Sequence, residues 1–411
     1  MKTYLVGGAV RDKLLNYPFT EKDWVVIGES PESMVAQKFI PVGKDFPVFL
    51  HPKTREEYAL ARTERKIAPG YTGFNFHTAP EVTLEQDLIR RDLTINAIAL
   101  SSSGQLIDPY GGQKDLKNRI LRHVSPAFNE DPVRVLRIAR FAARYAHLGF
   151  QIADETRLLM QQMVQQGEIS HLVPERVWTE THKALTEDQP SCFFKTLKNC
   201  GSLAIIFPEI NELFGVPQPK KYHPEIDTGI HALLTVDQAA QLTTDPATRF
   251  AALVHDLGKA KTSPSNWPSH RGHESGGLPI LKQLCQRLRI PKSYKALAQH
   301  VMLHHTSAHK VMHLKPETLA EMLLNIGAFK KDNTLKKFLL ACEADAKGRT
   351  GLENEPYPQA SFIQSAQQAA LAINTDLFTS GSLKGPQVGE AIYQSRIQAI
   401  TDFYKTYPKL E

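Results

Sequence analysis

The chain has 411 residues, 42% of them hydrophobic, with 49 Lys and Arg against 43 Asp and Glu and a formal net charge of +6. That length and apolar content predict ordinary globular packing in two to four domains, at roughly one per 100–200 residues, and the mild basicity suits an RNA-binding protein without requiring one. The cysteines, Cys192, Cys200, Cys285 and Cys342, never form a C-x-x-C pair, which excludes a zinc ribbon or disulfide framework and predicts a reducing cytoplasm. No apolar run approaches the ~20 residues that cross a bilayer, and the N-terminus enters a strand without a signal peptide, so a soluble, cytoplasmic protein is expected.

The first residues predict a strand over Thr3–Val6, a tight Gly7-Gly8 turn, a helix over Ala9–Leu15 and a second strand carrying acids. A Gly-Gly turn at a strand end lets a helix N-terminus approach a triphosphate with no Cβ in the way, and Arg11 adds a positive charge. Glu21 and Asp23, two apart on a strand, point the same way and can share Mg²⁺. Each fragment alone would be an ordinary turn or a solvated face; their order and closeness favour a nucleotide site.

As far as Pro109 the chain is strand-rich, with short apolar runs at Trp24–Ile27, Val48–Leu50 and Ile95–Leu100. Within it, LIRRDLTINAIAL (Leu88–Leu100) reads by itself as a basic turn before a buried strand. From Glu130 helical periodicity takes over. In EDPVRVLRIARFAAR (Glu130–Arg144), Asp131 is a good N-cap and Pro132 fits the first helical position. Steps of three place Asp131, Arg134, Arg137 and Arg140 on one slowly winding stripe; a solvated face is the competing reading. Three prolines interrupt the pattern at Pro217–Asp227, and another break falls near Phe329–Thr334.

Gly7-Gly8-x-x-Arg11-Asp12 followed by Glu21-x-Asp23 resembles the signature of class II tRNA nucleotidyltransferases, the CCA-adding enzymes and bacterial poly(A) polymerases. Glu21 stands where that family usually has Asp, one methylene longer but still a hard oxygen ligand. Glu130-Asp131-x-x-Arg134 resembles the family's template-replacing motif, Arg90-Arg91-Asp92 through Asn96-Ala97 another, with Leu93 in place of Phe, and DPYGG (Asp108–Gly112) a further one. The resemblance implies an α+β architecture: a polymerase-β-like head with a small mixed sheet, then a mostly helical body. It implies Glu21 and Asp23 as catalytic Mg²⁺ ligands and Gly8, Arg11, Arg91, Asp131, Arg134, Arg137 and Arg140 as nucleotide contacts for ATP and CTP, with Asp92 and Asn96 shaping the cleft. Asp131 would accept from the exocyclic amine of cytosine or adenine while Arg134 donates to the ring nitrogen. Facing the carbonyl of UTP or GTP, Asp131 would cost about 1–3 kcal/mol per unsatisfied group. Glu57 and Glu64 lie where a further carboxylate would act, or at the surface. Lys183, Lys195 and Lys198 are candidates to grip a tRNA backbone, or are solvated helix faces.

In the C-terminal half, IDTGIHALL, RFAALVHDLGKAKT and SHRGHESGG resemble an HD-type metal-dependent phosphohydrolase, all-α, with His255 and Asp256 as the central pair and His231 as a ligand. His273, His305 and Asp345 are further candidates. A divalent transition metal is implied, nickel among the possibilities, with phosphatase and 2′,3′-cyclic phosphodiesterase activity. The expected divisions are a head over 1–129, a nucleotide-selecting and tRNA-binding body over 130–222, an HD domain over 223–330 and a helical tail over 331–411. Function is then template-independent addition of CCA to tRNA by a monomer or homodimer. The competing readings are a poly(A) polymerase and an RNA-binding protein whose sole enzyme is the HD domain.

Overall fold

The computed structural model describes residues 1–19, 21–42, 48–66, 74–379 and 384–407. Its N-terminal portion is a seven-stranded mixed sheet of order β3-β4-β5-β2-β1-β8-β9. The strands are β1 (Lys2–Val6), β2 (Asp23–Ile27), β3 (Ile40–Val42), β4 (Val48–Leu50), β5 (Glu57–Leu60), β8 (Ala99–Ser101) and β9 (Leu106–Ile107), while β6 (Thr63–Lys66) and β7 (Phe74–His77) form a separate hairpin. Only β2 and β5 pair in parallel within the seven-stranded sheet; its other pairings are antiparallel. β2 reads as a continuous apolar run because both faces are covered. Val25 packs with Val6, Leu88 and Ala97, and Val26 with Met34, Phe39, Phe49 and Leu60.

Register sets what stands beside Asp23. Val6 opposes Asp23 across the β1–β2 pair, so Gly7 follows directly, and Glu57 is the parallel partner of Asp23 on β5. Paired residues share a face, which puts Asp23 and Glu57 on one side. Lys22, Trp24 and Glu56 are on the other, where Glu56 accepts from the Lys22 ammonium at 3.2 Å and the Trp24 indole at 2.9 Å. Glu21 precedes β2 rather than lying on it, so strand alternation does not fix its direction. The first helix, α1 (Gly8–Leu14), begins at Gly8, one residue earlier than expected. Further helices are α2 (Leu84–Ile89), α3 (Gly112–Asn118), α4 (Val133–Arg144) and α5 (Pro174–Leu185).

The chain divides into two compact units, one of residues Met1–Ala184 and Cys192–Ile206, the other of Leu185–Ser191 and Phe207–Glu411. The expected divisions near 130 and 330 fall inside these units. The second unit is all helical around the site, built on α6 (Thr228–Leu242), α7 (Pro246–Val254), α8 (His273–Arg287), α9 (Lys292–His309) and α10 (Thr334–Lys347). Arg249 of α7 donates to the carbonyls of Leu185 at 2.7 Å and Glu187 at 2.8 Å, and Asp237 of α6 accepts from the Ser191 amide at 2.9 Å. These bonds hold the 185–191 segment in the second unit. No helix among the described residues is long and apolar enough to cross a membrane.

Candidate active sites

In the first unit, the turn after β1 puts Gly7 at φ 68°, where L side chains are strained, and a Cβ there would lie 3.1 Å from Arg91 Nη1 and 3.9 Å from Asp23 Oδ2. Glycine therefore leaves bare backbone beside both the Arg91 guanidinium and the Asp23 carboxylate. Burial and the Glu21 charge raise the Asp23 pKa, with Arg91 and Arg137 opposing. Those influences gather Glu21, Asp23, Arg91 and Arg137 into one electrostatic neighbourhood. Arg91 is steadied by Asp87 Oδ2 at 3.1 Å. Glu57 is exposed beside Asp23; the Glu64 side chain lies outside the described residues.

A chain of charged hydrogen bonds runs through Arg11, Asn96, Asp92 and Arg137. Arg11 is buried and turned inward, donating to Asp12 at 2.8 and 2.9 Å and to Asn96 Oδ1 at 2.6 Å, with its guanidinium 4.9 Å from the Phe141 ring. Asn96 donates to Asp92 at 2.8 Å, and Asp92 accepts from Arg137 Nε at 2.6 Å. Burial alone would raise the Asp92 pKa, but Arg137 and the Asn96 bond hold it well below the usual carboxylate range. Asp12 also accepts from Tyr145 at 2.7 Å and Arg144 at 3.1 Å. α1, the Asp92–Asn96 motif and α4 are thereby tied together. Arg11 is committed to this scaffold rather than extended toward solvent.

Each charge of the predicted stripe is paired. Arg134 donates to the Ala127 and Arg90 carbonyls, both at 2.7 Å, and Arg140 donates to Glu180 at 2.6 Å. Asp131 caps the helix from outside, accepting from the Val133 amide at 3.1 Å. It also receives both arms of Arg176, at 3.0 and 2.7 Å. Arg176, on α5, was not picked out from the sequence; a residue 45 positions away leaves no local mark. The two forked bonds fix the plane of Asp131 while leaving lone pairs on both oxygens. Asp108 of DPYGG caps α3 through the Gly112 and Gln113 amides at 2.7 and 2.8 Å.

In the second unit His231, His255, Asp256, His273, His305 and Asp345 are all buried and brought together. His231 lies in the first turn of α6, His255 and Asp256 follow α7, His273 starts α8, His305 is on α9 and Asp345 on α10. Gly258, two residues after Asp256, sits so close to α8 that a Cβ would strike the His273 carbonyl; the glycine of His-Asp-Leu-Gly-Lys lets that helix bring His273 in. His231 Nε2 is 3.0 Å from Asp345 Oδ1, His255 Nε2 is 3.1 Å from Asp256 Oδ2, and His273 Nε2 is 3.2 Å from Asp256 Oδ1. Burial lowers the His231 pKa, but Asp345 and Glu225 outweigh it and raise it to about 9; burial and the His255 charge push His305 down to about 3.

The donor chemistry fits a divalent metal. His255 Nδ1 donates to the Ala252 carbonyl at 2.7 Å, His273 Nδ1 to His270 at 2.9 Å and His305 Nδ1 to Val301 at 3.1 Å, so their Nε2 lone pairs point inward. Among the described residues, His255 Nε2 and both Asp256 oxygens have no hydrogen-bond partner. Around them Lys259 Nζ approaches Asp256 Oδ2 at 2.6 Å and donates to Gln218 at 2.5 Å. His309 Nε2 donates to Asp345 Oδ2 at 2.7 Å and faces Tyr357 through Nδ1 at 3.0 Å. Glu225 Oε1 lies 3.0 Å from His223 and 3.1 Å from His231 Nδ1, which also meets the Gly348 carbonyl at 3.1 Å. Gln218, His223, Glu225, Lys259, His309 and Tyr357 were not foreseen; they serve the cluster from outside, and residue type alone does not mark such positions.

The "Poly A polymerase head domain" family matches residues 3–122, the "Probable RNA and SrmB- binding site of polymerase A" family residues 149–214, and the HD domain family residues 228–340. The fold is shared with the Bacillus stearothermophilus CCA-adding enzyme crystallised with CTP, at a TM-score of 0.65 and 22% identity over 98% of this chain and 89% of that one. It is also shared with the Thermotoga maritima CCA-adding enzyme complexed with tRNA, at a TM-score of 0.63 and 19% identity over 100% and 88%. The multifunctional CCA protein of Methylococcus capsulatus is 59% identical over 97% of this chain and 94% of its own, and that of Alkalilimnicola ehrlichii is 54% identical over the whole of both. With identity of that degree across both units, the chain belongs to the multifunctional CCA protein family, a nucleotidyltransferase head joined to an HD phosphohydrolase.

Proposed function

We propose that this protein adds and repairs the 3′-terminal CCA of tRNA from CTP and ATP, releasing pyrophosphate. We also propose that its second unit hydrolyses phosphomonoesters and 2′,3′-cyclic phosphates at RNA ends. The observation that carries the first activity is the placing of Asp23 and Arg91 both beside the bare Gly7 backbone, with Arg137 in the same electrostatic field. The tRNA 3′-hydroxyl attacks the α-phosphorus of the incoming nucleotide, the new P–O bond forms, and the bond to the β-phosphate oxygen breaks. Glu21 and Asp23, with Glu57 alongside, would hold magnesium, which supplies Lewis-acid activation of the hydroxyl and of the leaving oxygen when bound. Arg91 neutralises phosphate charge, and the bare Gly7-Gly8 backbone admits the triphosphate.

Asp131, its plane set by Arg176, accepts from the amine that cytosine and adenine share and uracil and guanine lack, while Arg134 stands beside it. Arg11 and Arg140 contribute by holding the cleft's shape from within. Exposed Lys183, Lys195 and Lys198 supply charge for tRNA phosphates, and all three fall in the segment matched by the RNA-binding family.

For hydrolysis, His231, His255, Asp256 and Asp345 would hold a divalent transition metal, for which imidazole donors are suited, nickel among them; when bound it supplies an activated water. Lys259, beside Asp256, provides positive charge for a phosphoryl group. A cytoplasmic location follows from tRNA as substrate.

The test is incorporation of each labelled nucleoside triphosphate into tRNA lacking its 3′ end, with magnesium and sequencing of products. Ordered C, C, A with no U or G is expected. Long A tracts would move the reading to a poly(A) polymerase, and no incorporation would overturn it.

A further inference from the structure

Around the HD centre, buried polar atoms that lack a partner among the described residues sort by charge. The acceptors, His255 Nε2 and both Asp256 oxygens, suit a cation. The donors, Gln218 Nε2 and Arg349 Nε, suit an anion. A buried donor left without an acceptor is costly, so these two nitrogens point to a ligand of opposite character from the metal.

Gln218 is buried in a segment closed by the pairing of Pro217 with Asp227 and by its own amide on the Ile226 carbonyl at 2.7 Å. Lys259 can only donate, so its bond at 2.5 Å holds Gln218 Oε1 toward it and turns the side-chain nitrogen elsewhere. The same ammonium lies 2.6 Å from Asp256 Oδ2. Two of its three donor positions are thereby engaged, and a third is left for another acceptor.

Arg349 reaches the centre from the end of α10. A Cβ on Gly348 would lie 2.5 Å from Thr235 Oγ1 and 2.7 Å from Thr235 Cα, so glycine lets the chain press onto α6 one turn beyond His231, whose Nδ1 meets the Gly348 carbonyl. Arg349 Nη2 then stands 3.9 Å from Asp345 Oδ1, beyond hydrogen-bond reach, with its side chain 20% exposed. The Thr350 amide donates to Glu225 Oε2 at 3.3 Å, which ties Arg349 to the segment that carries Gln218. Burial lowers the His223 pKa to about 4 against the Glu225 bond, and the charges of His231, Lys259 and Arg349 add to that lowering. Both cations are therefore near this one side chain of the 217–227 segment.

Resting on the phosphohydrolase reading of this unit, we infer that Gln218, Lys259 and Arg349 form a phosphate pocket at the HD centre. The phosphoryl group of a monoester or cyclic ester accepts from the Gln218 amide and the Arg349 guanidinium, while Lys259 adds charge. A planar guanidinium matches two phosphate oxygens at once. All three contacts address the phosphoryl group and none the base, so inorganic phosphate is itself a ligand.

The experiment uses the full chain loaded with nickel(II) and follows hydrolysis of 2′,3′-cyclic AMP and its inhibition by inorganic phosphate. Calorimetric titration with inorganic phosphate and nickel content by mass spectrometry accompany the rates. In Arg349→Met, KM and the inhibition constant for phosphate should rise together by about ten-fold or more, with nickel content unchanged and one phosphate per chain lost from the titration. Arg349→Lys should recover part of the loss, since it keeps the charge without the fork. Gln218→Glu keeps an acceptor for Lys259 but puts an oxygen where the amide donor was, and should weaken phosphate as much as Arg349→Met. An unchanged inhibition constant in Arg349→Met and Gln218→Glu, with nickel retained, overturns the pocket and leaves the phosphohydrolase. Loss of nickel from Arg349→Met also overturns it, because the residue then supports Asp345 instead. A parent that hydrolyses nothing overturns the phosphohydrolase reading, and the calorimetric difference between parent and variants then decides the pocket by itself. Circular dichroism checks folding; if Arg349→Met is unfolded, Arg349→Lys and Gln218→Glu decide.

Discussion

At the scale of single residues, Asp131 ties selectivity to the side chain that orients it. Its carboxylate plane is set by the fork of Arg176 at 3.0 and 2.7 Å. Arg176→Ala is expected to leave Asp131 free to rotate and to lower discrimination of CTP over UTP roughly ten- to a hundred-fold, the equivalent of about 1–3 kcal/mol. Arg176→Lys should rescue it only in part, because a point charge cannot replace a planar fork. Single-turnover incorporation with the two nucleotides measures both. Asp92 offers a pH test. Its folded pKa is depressed by Arg137 and Asn96 despite burial, so its contribution is fully present above the ordinary value of 3.8 and is lost as pH falls through the folded one. Asp92→Asn should cost about 2 kcal/mol at pH 7, and the gap from the parent in denaturant titrations should shrink below about pH 4.

At the scale of elements, the β1 turn and the start of α1 are fitted to one another through Gly7. Gly7→Ala combines a strained φ of 68° with a Cβ 3.1 Å from Arg91. It should lower kcat/KM for CTP and ATP alike, by ten-fold or more, because a misplaced Arg91 reaches either triphosphate. Equal retention of both rates would show that the turn has no part in binding. Elements are also where the sequence was most and least informative. Gly7-Gly8 before a helix and His255-Asp256 closing one are dense local patterns, legible because all the chemistry sits within a few residues. Glu21 was assigned to a strand that begins two residues later, since Thr20 to Lys22 carries no apolar alternation to mark the boundary. The nearness of Glu57 to Asp23 needs the parallel β2–β5 register, and Tyr357 reaches His309 beside the histidine cluster from 48 residues along the chain. Such contacts depend on topology rather than on spacing. The stripe on α4 was visible as a period of three, but its inward engagement with Glu180 and Asp92 was not, because a solvated arginine and a paired one look the same in sequence.

For the whole molecule, two chemistries occupy two compact units, and they should fail separately. Asp23→Ala is expected to reduce nucleotide incorporation by at least a thousand-fold while leaving hydrolysis of a 2′,3′-cyclic nucleotide within two-fold of the parent. His255→Ala should do the reverse. Paired assays on the same preparations decide it, and loss of both activities in either variant would mean that the two centres are linked. The units are nonetheless not consecutive stretches of chain. Residues 185–191 pack with the second through Arg249 and Asp237, and residues 192–206 return to the first. Genetically, the two enzymes are therefore spliced rather than concatenated. A single crossover between genes cannot exchange one for the other cleanly: a break at Phe207 strips the hydrolase of its 185–191 segment, and a break at Leu185 carries part of the transferase away with it.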